Sequence, residues 1–258
     1  MFDKIGIQLF SVRNHMTDEA GVKYTFDRLA EIGFKEVQTA GAFPCDVEKF
    51  AEHMKNAGLT CVGTHYGFPA DINDLDEYIK LHKTLGTDTA GVGSGAYGKT
   101  KAEVMAYIDK VNALAEKLAA HGMKFSYHHH SHEFGKVPGG DRVIDYMVDG
   151  FDKNNVKFVL DTCWLANSYV SVTGWIEKLA GRCDVLHIKD RALKFGTNTE
   201  GFITECGEGN IDIEGALKAA EASGVKHICY EQDTWPLGFD SLDYSARKSF
   251  EYIQSLLK

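Results

Sequence analysis

Four side chains with acid, base or metal-binding chemistry stand near the ends of four separate apolar runs. They are Glu133 after KFSYHHH, Asp161 closing VKFVLD, His187 inside DVLHIK and Glu231 after HICY. Carboxylates with one imidazole suit manganese, cobalt, zinc, iron or magnesium better than a thiolate-loving ion. Gathered in one layer without a cation, they would cost about several kcal/mol for each unpaired charge. The plain alternative for each is a strand-end polar group satisfied by solvent or a backbone amide. The set is therefore read as one divalent-metal site with Glu133, Asp161, His187 and Glu231 as ligands.

Other groups fall at positions from which they could join such a site. His187 and Lys189 share one face of their strand, because side chains alternate. A buried Lys189 would stabilise an alkoxide or enolate; the plain alternative is an exposed lysine paired with Asp190. The run Tyr127, His128, His129, His130, Ser131, His132, Glu133 places His128 and His130 on one face and Tyr127 and His129 on the other. His128 or His130 is expected to move a proton, since imidazole titrates near neutral pH. Gln8 in IGIQLF and His65 after LTCVGT could bind substrate hydroxyls. Trp164 and Trp235 could wall a sugar ring.

The elements that would position these groups are legible. Eight short β-rich runs alternate with amphipathic helical segments to the end of the 258-residue chain. Thr100 and Glu103 form a capping box opening the longest helix. Glycine follows helix after helix, as a left-handed stop would. Eight such units point to a single (β/α)8 barrel spanning 1–258, whose active site lies at the C-terminal ends of the strands. A doubly wound open sheet ranks second, but no G-x-G-x-x-G follows the first strand. The segment from Leu193 to Asn210 reads as a long loop over the catalytic end, able to close on substrate.

Charge and composition exclude several classes. With 28 basic against 37 acidic residues and a formal net charge of -9, a phosphate-binding surface for nucleic acid is not expected. No apolar stretch approaches the roughly 20 residues of a membrane span, and the N-terminus lacks signal-peptide features, so a cytoplasmic enzyme is expected. Six scattered cysteines without a C-x-x-C pair fit reduced thiols.

Through IGIQLFSVR, EIGFKEVQTAG, YHHHSHEF, LDTCW, GRCDVLHIKD, CGEGNIDI and YEQD, the chain resembles the sugar phosphate isomerase/epimerase family of the xylose isomerase-like barrel superfamily. That resemblance implies one divalent ion (Mn, Co, Zn, Fe or Mg) on neighbouring oxygens of a small carbohydrate, with Asp161, His187 and Glu231 as ligands and Glu231 doubling as a base. The expected reaction is isomerisation or epimerisation through proton abstraction α to a carbonyl. Dehydration or cleavage of a keto-sugar, inosose or 3-keto-glycoside is the alternative. An abasic-site endonuclease or a non-catalytic sugar-binding module ranks lower. Barrels of this kind commonly associate, so a homo-oligomer is open.

Overall fold

The computed structural model describes residues 2–258. Eight parallel strands form the central sheet: β1 (Gly6–Gln8), β2 (Glu36–Ala40), β3 (Thr60–His65), β4 (Thr89–Val92), β5 (Lys124–His128), β6 (Val156–Asp161), β7 (Cys183–Ile188) and β10 (His227–Tyr230). Two further strands, β8 (Asp190–Leu193) and β9 (Gly201–Thr204), lie between β7 and β10. The order in the sheet is β3-β2-β1-β10-β7-β6-β5-β4. Its ends, β3 and β4, lie side by side, so the sheet curls into the expected (β/α)8 barrel.

Close approach at that seam depends on Gly91. A Cβ there would stand 2.7 Å from the Thr64 carbonyl oxygen and 2.3 Å from Ser126 Oγ. The strands are buried on both faces, which is why they read as near-continuous apolar runs rather than alternating ones. Phe158, Val159 and Leu160 of β6 are all fully buried.

Helices α1 (Glu19–Ile32), α2 (Val47–Asn56), α3 (Asp76–Leu85), α4 (Lys101–Ala119), α5 (Val143–Gly150), α6 (Thr162–Asn167), α7 (Val172–Lys178), α8 (Ile213–Ala222) and α9 (Arg247–Leu256) alternate with these strands. The Thr100–Glu103 capping box opens α4 as expected, both reciprocal bonds being formed. Its apolar stripe Val104, Ile108, Val111, Leu114, Ala115 and Leu118 is buried.

Two local expectations are corrected. IGIQLF is not one strand: β1 stops at Gln8, whose side chain caps a 3-10 turn over Leu9–His15 by accepting from Phe10 N–H. The segment from Leu193 to Asn210 is not a plain loop either. Its first half is the return arm of an antiparallel hairpin, β9 pairing with β8, which ends at Leu193. Its second half wraps around the buried Asp190 carboxylate, which accepts from the N–H groups of Arg191, Gly207, Gly209 and Ile211 at 2.8 to 3.2 Å. A Cβ at Gly209 would meet Asp190 Oδ1 at 2.1 Å, so only glycine fits there.

Candidate active site

At the C-terminal mouth of the barrel, β5, β6, β7 and β10 deliver His128, Asp161, His187 and Glu231 to one place. One ligand atom from each lies within 4.8 Å of all the others, and all four residues are buried. His128 Nε2, Asp161 Oδ2, His187 Nδ1 and Glu231 Oε2 bond to nothing outside the cluster: the two carboxylate oxygens are ion-paired with Lys189, and His187 Nδ1 stands 2.9 Å from Glu231 Oε2. Four such atoms turned on a common gap fit a divalent cation, and the mixed imidazole and carboxylate set suits a borderline or hard ion.

The surroundings fix which atom each residue presents. His128 Nδ1–H donates to the Gly93 carbonyl at 2.9 Å, leaving Nε2 for the gap. His187 Nε2–H donates to Gln38 Oε1 at 2.6 Å, which turns Nδ1 inward. Gln38 Oε1 also accepts from Gln8 Nε2 at 3.0 Å. Asp161 Oδ1 accepts from Trp164 N–H at 2.8 Å, capping α6 and freeing Oδ2. Acceptors behind each imidazole are the arrangement that fixes the tautomer of a metal-ligating histidine.

Lys189 supplies positive charge beside this gap. It is 1% exposed. Its Nζ stands 3.0 Å from Asp161 Oδ2, 2.7 Å from Glu231 Oε2 and 3.1 Å from Asp233. The paired alternative with Asp190 does not hold, since Asp190 is spent on backbone amides. Burial alone would raise the Asp161 and Glu231 carboxyls, but Lys189 and the neighbouring imidazoles outweigh it and hold both well below the usual range. At His187 burial opposes the charge, yet Glu231 and Asp161 prevail and push the imidazole up to about 9.

Glu133 lies outside this group. Its buried carboxylate accepts from Tyr127 OH at 2.7 Å and His130 N–H at 2.9 Å, and His132 Nε2 is 3.2 Å away. Those bonds overcome burial and bring it down to about 2. Glu133, His130 and His132 form a second group of possible ligands, with His132 exposed. His128, expected as a proton carrier, takes the place beside Asp161 that Glu133 was expected to hold.

The remaining expected residues surround the mouth. His130 is half-buried, its ring 4.8 Å from that of His128 and 5.0 Å from Trp164, and its Nδ1 has no partner. Burial pushes this imidazole down to about 3, so it is a free base at neutral pH. His65 Nδ1 accepts from Gln8 Nε2 at 3.1 Å, which leaves its Nε2–H without a partner. Lys189 Nζ stands 5.0 Å over the Trp164 ring, and Arg13 caps Trp235 at 5.0 Å.

Sequence reasoning gave no role to Gln38, Asp233 or Arg13. Gln38 carried a signal: a polar side chain inside the apolar run EVQT, now fully buried. Asp233 follows Glu231 by two residues, the same alternation that linked His187 to Lys189. Arg13, which donates to the Asp233 carbonyl oxygen at 2.9 Å, carried none.

Known proteins fit this architecture. The inosose dehydratase of Salmonella typhimurium is 24% identical across 99% of this chain and 96% of its own length. That of Clostridium perfringens is 22% identical across 97% and 96%. Among solved structures, a sugar phosphate isomerase/epimerase from Parabacteroides distasonis superposes with a TM-score of 0.82 at 20% identity, covering 100% of this chain and 96% of that one. An L-ribulose 3-epimerase does so with a TM-score of 0.74 at 17% identity, covering 99% and 95%. The family model for the xylose isomerase-like TIM barrel matches residues 26–256, and the chain belongs to that family.

Proposed function

We propose that this enzyme removes the proton α to the ketone of a keto-sugar or keto-cyclitol, aided by one divalent ion, and then expels the β-hydroxyl as water. The observation that carries the reading is the convergence of two imidazole nitrogens and two carboxylate oxygens, one from each of four strands, beside a buried lysine. A divalent ion held by His128, Asp161, His187 and Glu231 would polarise the ketone and offset the charge that develops on its oxygen.

The protein groups divide the remaining work. His130 Nδ1 takes the α-proton, the C–H electrons form the enolate, and the C–C double bond closes as the β C–O bond breaks. The departing hydroxide takes the same proton back from the His130 imidazolium and leaves as water. Lys189, fixed by three carboxylates, adds positive charge near the enolate oxygen. His65 Nε2–H and the face of Trp164 orient the ring; Trp235 and Gln8 complete the wall and its support.

Elimination is favoured over epimerisation on two counts. The curated relatives are dehydratases. Asp161 and Glu231 are both clamped by Lys189 on one side of the site, so they do not offer two opposed free bases. Isomerisation or epimerisation shares the enolate and is the second reading, supported by the epimerase fold neighbour. Incubating the manganese-loaded protein in deuterium oxide with an inosose separates them. Loss of one water, seen by mass spectrometry, supports elimination. Solvent deuterium gained without water loss supports the second reading, and neither change would contradict both.

A further inference from the structure

His130 stands between regular elements. β5 ends at His128 and the next helical turn covers His132–Phe134, so the peptide groups of His130 belong to no strand ladder or helix. Backbone groups at such a place must find partners elsewhere. Two side chains of the same run supply them. The His130 N–H donates to Glu133 Oε2 at 2.9 Å, and the His130 carbonyl oxygen accepts from His129 Nδ1–H at 3.1 Å. Both Glu133 and His129 are fully buried.

Each of the two is itself anchored. Glu133 Oε1 accepts from the Tyr127 hydroxyl at 2.7 Å, and Tyr127 is a fully buried residue of β5 packed between the rings of Tyr107 and Phe151. His129 Nε2 accepts from the Asp161 N–H at 3.2 Å, which leaves its proton on Nδ1 and ties the His130 carbonyl to the backbone of Asp161. Glu133 reaches the His130 ring as well. His132, whose Nε2 is 3.2 Å from Glu133 Oε1, stacks on that ring with centroids 5.4 Å apart and planes 13° from parallel.

We infer that Glu133 is a positioning residue for His130. It holds the His130 peptide at the N–H while His129 holds the carbonyl, and through His132 it steadies the ring, so that Nδ1 is aimed at the α-proton. The inference rests on the proposed role of His130 in the reaction. Glu133 lies outside the group of four that faces the gap, so its part is separate from ion binding. A reacting group keeps its aim when its holders are themselves locked by packing and hydrogen bonds. The buried Tyr127–Glu133 pair meets that condition, and the run from Tyr127 to Glu133 thereby divides its work: His128 faces the gap, His130 moves the proton, and Glu133 fixes where His130 stands.

Turnover of an inosose by manganese-loaded variants tests this. Glu133→Leu takes away both acceptor oxygens and is expected to lower kcat by about 10²-fold, the effect of displacing a reacting group by about 1 Å, with KM and manganese stoichiometry as in the unaltered protein. Glu133→Gln keeps an acceptor for the His130 N–H and should restore most of that loss. Combined with His130→Ala, Glu133→Leu should cost no further turnover, because the group that it positions is gone. Tyr127→Phe releases Glu133 at its other end; it should lower kcat in the same sense, again only while His130 is present, and it decides the matter if circular dichroism shows Glu133→Leu to be misfolded. Undiminished kcat in the folded variants, losses that add to that of His130→Ala, losses in KM or ion content in place of kcat, or a Glu133→Gln protein as slow as Glu133→Leu would overturn the inference. His130→Ala turning over at the unaltered rate rejects the proton path itself. A slow His130→Ala protein beside a fully active, folded Glu133→Leu protein rejects the positioning role alone.

Discussion

The two ends of the barrel carry similar residue types and use them differently. At the N-terminal end, Glu36 meets His227 Nδ1 at 2.9 Å, and Asp184 meets Lys226 at 3.0 Å and Lys124 at 3.6 Å. Both carboxylates are buried there, but their partners His227, Lys226 and Lys124 reach solvent. At the C-terminal end, Asp161 and Glu231 are buried, and His128, His187 and Lys189 crowd the same two oxygens. Buried carboxylates matched by cations that stay in contact with solvent leave no charge uncompensated. Concentrating them in a buried gap costs desolvation, and a fold bears that where the gap is filled by a ligand.

The sharpest way to break this contrast is at Asp161. Asp161→Ala removes a donor from the gap and leaves Lys189 and His187 short of a carboxylate, so divalent-ion binding should vanish from calorimetric titration and turnover with it. His130→Ala should retain the ion and lower turnover by about 10²–10⁴-fold, the usual share of a general base. Ion retention with unchanged turnover would remove His130 from the proton path. Gln38→Leu leaves every ligand in place but takes away the acceptor that holds Nε2–H of His187. Ion affinity should fall by about 10–100-fold. Unchanged affinity in a folded Gln38→Leu protein would mean that the Gln8–Gln38 relay is packing only.

A pH effect follows from His187. Its folded value, about 9, lies above the ordinary imidazole value of 6.5 because Glu231 and Asp161 outweigh burial. The ion-free protein therefore holds this stabilising contribution in full below about pH 6.5 and loses it as pH rises through about 9. Its melting temperature should decline across that window. Bound ion should flatten the decline, since it takes the place of the proton. A flat profile without ion would contradict the charge assignment at His187. At the opposite end, Asp184→Asn should cost about 1–3 kcal/mol in urea unfolding, the loss of a buried charged hydrogen bond, and leave ion binding untouched.

Much of this contrast is legible in the chain. VKFVLD and HICYE end in carboxylates after unbroken apolar residues, and a barrel sends such ends to one mouth. His187 and Lys189 follow from strand alternation alone. The place of Glu133 outside the group of four has a physical origin: the chain turns sharply after His128, and Tyr127, on the outward face of β5, captures the carboxylate six residues on. Sequence spacing does not reveal that turn. The β8–β9 hairpin escaped because DRAL and GFIT are short and carry no alternation, while the Asp190 carboxylate that organises the following turn looks like a solvent-facing residue. Gln38 shows the opposite case, a polar residue visible in a strand whose partner, His187, lies 149 positions away.

The most direct test of the account is ion stoichiometry on protein purified without affinity metal and dialysed without chelator, compared with Asp161→Ala and Glu133→Gln. The account predicts close to one divalent ion per chain, lost in Asp161→Ala and kept in Glu133→Gln. An ion lost in Glu133→Gln but kept in Asp161→Ala, or none bound even when manganese, cobalt or zinc is added, would contradict it.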